Sequence, residues 1–235
     1  MDKVDSVNQA ILELWRDRFK EDKEVFVPLI YPNITMSGLL IIGLNPSFNA
    51  KKYNQSLTGP EFSSKKDHEL DEFFRWNNLA KWADKNNFDK LKRMEGTARE
   101  KYIKKFSNIA KYVEIENCDH IDLFFYRETK QKILLQYICD GKEEITEFGN
   151  SQLELSKELI ELADPVVIIV ANACASQIFE KKYKVTFNKE KGYHEIKLNN
   201  QTIPVFLGST ITGQRPIDRY SLLRLKWHLK KAIGK

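Results

Sequence analysis

The stretch Leu39 to Phe48, reading Leu-Leu-Ile-Ile-Gly-Leu-Asn-Pro-Ser-Phe, constrains the fold of this chain more than any other. Leu39 to Ile42 are consecutive aliphatic residues without polar alternation. That is the pattern of a parallel strand covered on both faces, because such a strand has no wet side to pattern for. The run breaks at Gly43 and turns through Asn45, Pro46 and Ser47. Glycine permits a turn or a close backbone approach to a ligand, and proline fixes its own φ, removes a donor and pushes the residue before it towards extended geometry. The Asn45 amide then has both a donor and an acceptor to offer from a fixed place. Ligands of open α/β sheets bind beyond the carboxyl ends of the strands, so this turn is the first place to look for a site. The Asn-Pro-Ser tripeptide is equally ordinary turn punctuation.

The rest of the chain alternates strand and helix patterns. Ser6 is positioned to cap a covering helix over 7–21, whose Val7, Ala10, Ile11, Leu14, Trp15 and Phe19 recur at helical spacing. Pro28 and Pro32 make Val25 to Ile34 an extended feeder and not a central strand. Asn49 to Lys66 reads as a long loop, and helices are expected over 68–84, 89–112 with a break near Gly96, 130–139, 151–162 and 218–233. Further strands are expected at 121–126, 166–170 and 202–207, with a hairpin over 184–198 as an appendage beside the sheet. The last helix should lay Leu222, Leu225, Trp227 and Leu229 against that sheet. Alternation of this kind implies one α/β domain over 1–235.

Composition excludes several classes. The 235 residues carry 38 Lys plus Arg against 33 Asp plus Glu, a net charge of +5 that permits a nucleic acid partner without requiring one. Cys118, Cys139 and Cys174 lie far apart, so they suggest neither a disulfide framework nor a zinc site, and they cannot supply the four ligands of an iron–sulfur cluster. His68, His120, His194 and His228 form no pair at metal-ligand spacing, and each reads as a surface or packing residue. No signal-peptide core and no apolar run near the roughly 20 residues of a bilayer span is present, so a soluble, cytoplasmic protein without a membrane partner is expected. The glycine-rich nucleotide loops and the Gly-x-Ser-x-Gly elbow are absent from the sequence.

Gly43-Leu44-Asn45-Pro46-Ser47 resembles the first motif of the uracil-DNA glycosylase superfamily, particularly its mismatch-specific branch, where a Gly-x-Asn-Pro turn closes the first strand and its Asn helps position the attacking water. Ile121 to Thr129 is similar to the second strand and the following Arg-x-Thr of that branch, and Asp164-Pro165-Val166 to Ala173 to its third strand. Val205 to Arg215 sits where the family has its second catalytic loop. The resemblance implies a three-layer α/β/α sandwich around a four-stranded parallel sheet in the order 2-1-3-4. It also implies a cofactor-free, metal-free enzyme, monomeric, that acts on duplex or single-stranded DNA and hydrolyses the N-glycosidic bond of a flipped uracil or other damaged or mispaired base.

On that implication Asn45 is the catalytic residue, and Gly43, Leu44, Pro46, Ser47, Phe48, Phe62, Asn172, Ser209, Thr210 and Thr212 bind the substrate. Lys51, Arg127, Gln214 and Arg215 would take the DNA phosphates. The residues leave alternatives open: Phe48 and Phe62 either stack a base or anchor their loop, Arg127 either meets phosphate or pairs with a carboxylate, and Asn172 either touches the base or caps the helix after it. The chain departs from the family at two points. Gly208, Ser209 and Thr210 stand where many members carry a His, and the first loop lacks the Asp of efficient uracil excisers. A non-catalytic nucleic-acid or nucleotide binding protein on the same fold is the alternative.

Overall fold

The computed structural model describes residues 2–57, 66–140, 144–211 and 216–235. Helix α1 (Lys3–Phe19), strand β1 (Leu39–Gly43) and helices α2 (Ala50–Ser56), α3 (Asp67–Phe74), α4 (Leu79–Ala83), α5 (Lys85–Ile103) and α6 (Ser107–Tyr112) come first. They are followed by β2 (Cys118–Asp122), α7 (Gln131–Ile138), the two-residue strands β3 (Cys139–Asp140) and β4 (Glu144–Ile145), and α8 (Glu147–Ala163). The chain closes with β5 (Val167–Ala171), α9 (Ala173–Lys182), β6 (Thr186–Asn188), β7 (Tyr193–Leu198), β8 (Gln201–Gly208) and α10 (Arg219–Ala232). These elements form an α/β protein with a mostly parallel sheet and flanking helices. The chain gathers into two compact units, one of Met1–Asn33, Asn45–Lys101 and Phe124–Glu158, the other of Ile34–Leu44, Tyr102–Leu123 and Leu159–Lys235.

The second unit holds the main sheet, in the order β2-β1-β5-β8-β7-β6. Leu39 to Ile42 of β1 are at most 1% exposed, which accounts for their unbroken apolar run. Burying each such side chain contributes about 1.5–3 kcal/mol. β1 pairs in parallel with β2 and β5, β5 pairs in parallel with β8, and β8, β7 and β6 join antiparallel. The sheet therefore has six strands where four were expected, and the 184–198 hairpin belongs to it instead of hanging beside it. The physical reason is the Asn199-Asn200 turn. Both residues have positive φ, 46° and 64°, the geometry that joins two antiparallel strands through a two-residue loop and here fastens β7 directly to β8.

The second strand also lies earlier than its apolar run suggests, at Cys118–Asp122 in place of 121–126. Leu123 N donates to Gly43 O at 3.1 Å as the chain leaves the sheet. Polar Asp119, His120 and Asp122, all buried, hide the strand from a hydropathy reading. One face of the sheet, carrying Leu39, Ile41, Val167 and Ile169, packs against Phe106, Ile109, Ala110 and Val113, and against Leu229 of α10. Leu222 and Leu225 join that cluster at its margin, but Trp227 points away and is 54% exposed, contrary to expectation.

The first unit is mainly helical. α1 begins four residues before the expected 7–21 span because Asp2, not Ser6, is the cap, accepting from Val4 N. Trp15, Trp76 and Trp82 are fully buried, and each indole N–H donates to a backbone carbonyl, of Phe26, Lys20 and Trp76 respectively. The Pro-containing feeder is extended as expected, held by Val27 N to Phe74 O and by reciprocal bonds between the Asn8 amide and the Tyr31 backbone. The helix expected over 68–84 is split into α3 and α4 by Asn77, at φ 63°, after which Asn78 caps α4 by accepting from Lys81 N. α5 runs straight through Gly96, and the break falls instead at a 3₁₀ turn over Lys104–Phe106. Part of the expected 49–66 loop is α2, capped by Asn49.

Candidate functional site

Parallel register in the second unit brings the carboxyl ends of four strands into line. Gly43 lies opposite Asp122, and Ala171 opposite Gly208. His120 and Asp122 are two residues apart on β2 and so share one face of the sheet. His120 Nε2 stands 3.6 Å from Asp122 Oδ1, with both side chains less than a tenth exposed. They occupy the space beside Gly43. A Cβ there would fall 2.1 Å from Asp122 Oδ1 and 2.7 Å from His120 Nε2, so a glycine is required for contact and not for φ. The Tyr102 ring meets the imidazole edge-on at 4.7 Å between centroids. At that separation the two are close neighbours and not hydrogen-bonded to one another. His120 is thus a packing residue, one of the two roles its sequence context allows. The available signal was a His and an Asp spaced by two in a strand ending level with a glycine.

The other members of this edge are more ordinary. Asn172 Oδ1 accepts from Ala175 N at 3.0 Å and caps α9, the structural alternative for that residue. Buried Ser176 donates to Gly208 O at 3.0 Å and accepts from Gly208 N at 3.1 Å, fixing the end of β8. Ser209 is exposed and Thr210 half-buried, with the Thr210 carbonyl accepting from Ile217 N. Leu44 is buried. Thr212, Gln214 and Arg215, like Phe62, lie outside the described residues.

In the first unit, the turn at 45–48 is laced to the segment 126–129. The two Asn45 Nδ2 hydrogens are shared among the carbonyls of Glu128 at 2.7 Å, Tyr126 at 3.1 Å and Pro46 at 3.2 Å. Glu128 N donates back to Pro46 O, and Thr129 Oγ1 donates to Phe48 O. Among the described residues no protein donor reaches Asn45 Oδ1. The amide is thus clamped by its nitrogen, and its oxygen is held in one orientation as an acceptor. Pro46 is half-buried and Ser47 exposed.

Two expected ligand contacts are built into the core instead. Phe48 is 8% exposed and packs on Phe26, Tyr53 and Phe74, so it anchors the loop and presents no free face for stacking. Arg127 is buried, donating from Nε to Val27 O at 2.8 Å and from one terminal nitrogen to Glu95 Oε1 at 2.5 Å. It pairs with a carboxylate and offers nothing to phosphate. Tyr53 donates to the same Glu95 oxygen at 3.0 Å, and burial followed by the Glu95 charge holds its phenol well above the usual range. Lys51, by contrast, is exposed on α2.

Burial also pushes the Cys118 thiol up to about 12, with Asp119 adding to the effect. Among the described residues no group of three His, Cys, Asp or Glu side chains is placed to hold a metal ion, and no helix is long and apolar enough to cross a membrane. The chain matches no protein-family profile and no curated protein.

Proposed function

We propose that this chain is a DNA base-excision glycosylase of the uracil-DNA glycosylase kind, with that family's three-layer architecture, and that Asn45 orients the water that attacks the sugar carbon of a flipped base. The observation that carries the reading is the clamped Asn45 amide. Its nitrogen is committed to three backbone carbonyls, which leaves a fixed Oδ1 to accept a hydrogen bond from water. The water oxygen bonds to C1′ as the C1′–N bond breaks, and the water proton ends on the departing base. No carboxylate or imidazole lies within Gly43 to Ser47 to take that proton during attack, which implies slow turnover. Exposed Lys51, in the same unit as Asn45, suits a phosphate contact.

One observation favours the second reading, a nucleic-acid or nucleotide binding module without chemistry. Clamping two loops is a sufficient structural use for Asn45 by itself. A panel of modified-base oligonucleotides, duplex and single-stranded, assayed for abasic sites, separates the two. Base release from any member supports the glycosylase. Salt-dependent binding without release across the whole panel leaves the binding module, and neither binding nor release removes both.

A further inference from the structure

α10 shows an outward face that the fold does not use. Tyr220, Leu223 and Trp227 recur at i, i+3 and i+7 and are 72%, 47% and 54% exposed, three of the seven large apolar side chains that stand exposed among the described residues. They form one stripe about 10 Å long, given the helical rise of 1.5 Å per residue. Arg219, Arg224, His228 and Lys231 flank the stripe and are also exposed. From Arg219 to Ala232 the helix contains no acidic residue. Among the described residues Arg219, Arg224 and Lys231 make no ion pair. An apolar stripe bordered on both sides by unpaired positive charge is half of a helix–helix seam.

We infer that this face of α10 docks an acidic amphipathic α-helix of a partner protein, apolar along its seam and carrying Glu or Asp on both flanks. Charge decides against a second copy of the chain. Two α10 faces laid antiparallel would set Arg219 and Arg224 of each against Lys231 of the other, a like-charge contact. Geometry decides against single-stranded nucleic acid. Leu223 offers no stacking face, and the Trp227 ring already carries Lys231 over it at 5.3 Å and His228 edge-on at 4.8 Å. An anionic bilayer would receive only three side chains. A seam this short supports a transient complex and not an obligate one. The inference is independent of base excision.

Trp227 supplies the test, because the other three of the four tryptophans are fully buried. Acrylamide quenching of the intact protein therefore reports on α10. The probe is a synthetic helix of about three heptads with Leu at the seam and Glu on both flanks. The expected result is a blue shift of the exposed component and at least a twofold loss of quenching at saturation. Arg224→Glu should weaken binding several-fold and Leu223→Asp at least tenfold, both with unchanged thermal midpoints since both positions face solvent. The same peptide with Lys for Glu should give no protection. If the acidic helix gives no protection, or if Leu223→Asp binds it as wild type does, the inference fails. It fails equally if oligo-dT or anionic phosphatidylserine vesicles protect Trp227 where the acidic helix does not.

Discussion

The turn at 45–48 and the strand end at 208–210 carry the same kinds of small polar residue after the same kind of apolar strand, yet they spend them in opposite ways. In the first, the Asn45 donors, the Pro46 and Phe48 carbonyls and the neighbouring Arg127 are all consumed inside the protein. In the second, Ser209 is exposed, and the bond that fixes the strand end comes from Ser176 on a different element. Residue type at a strand end is therefore a poor guide to ligand contact. What matters is where each hydrogen-bonding group is already committed, because an unsatisfied buried group costs more than a satisfied one gains.

The largest effect that would break this contrast is expected at Arg127. Arg127→Ala leaves the Glu95 carboxylate buried without its cation and should cost about 3–5 kcal/mol in denaturant unfolding. A loss comparable to that of an exposed Lys51→Ala would mean the ion pair is not structural.

Next comes the clamp itself. Asn45→Ala removes the donors that join 45–48 to 126–129 and should cost about 1–3 kcal/mol, whereas Ser209→Ala should stay within about 0.5 kcal/mol. Equal thermal midpoints for the two variants would erase the distinction. Any activity assay at position 45 needs this stability measurement beside it, since lost base release could otherwise follow from a loosened loop.

At Gly43 the contrast can be sharpened. Gly43→Ala places a methyl group against Asp122 and His120 and should cost about 1–3 kcal/mol as overpacking. Combining it with Asp122→Ala should recover part of that loss, and strictly additive effects in the double-mutant cycle would show that the crowding is not there.

An effect that vanishes at neutral pH concerns Cys118. Its thiol ionises more readily in the unfolded chain, near the ordinary value of 9.0, than in the folded one, where it is pushed up to about 12. The unfolded state therefore releases the proton first, so this contribution to stability is intact below pH 9 and is lost as pH rises towards 12. Wild type and Cys118→Ala should show parallel thermal midpoints up to pH 9, with wild type falling faster above it. Parallel curves throughout would place the thiol in a wetter setting.

How far the sequence could be read follows from which signals are local. β1 and β5 were legible because four or more aliphatics in a row admit few alternatives once buried on both sides. β2 was misplaced since its strand residues are polar and the apolar run after it serves other contacts: Phe125 N donates to Gln152 Oε1, and its carbonyl accepts from Leu29 N. Asn199-Asn200 carried the hairpin signal that enlarges the sheet, but it fell between a recognised hairpin and a recognised strand. At the site, the Asn45 turn and the Asn172 cap were visible as local chemistry. A carboxylate partner for Arg127 was one of its two open roles, but Glu95 as that partner and the packing of His120 and Asp122 against Gly43 were not visible, because one pair is made across 32 residues and the other contact needs strand register.

The position of β1 between β2 and β5 has a consequence for the order in which the protein can be made. Both neighbours of β1 lie far downstream, β2 at Cys118 and β5 at Val167, so the ladder cannot close until roughly 130 further residues have been synthesised. The β7–β8 pair, joined by two residues, can zip within microseconds of emerging, whereas β1 waits for contacts of high sequence separation. During that interval Leu39 to Ile42 is an unpaired aliphatic segment on a nascent chain, the kind of stretch that molecular chaperones and aggregation compete for.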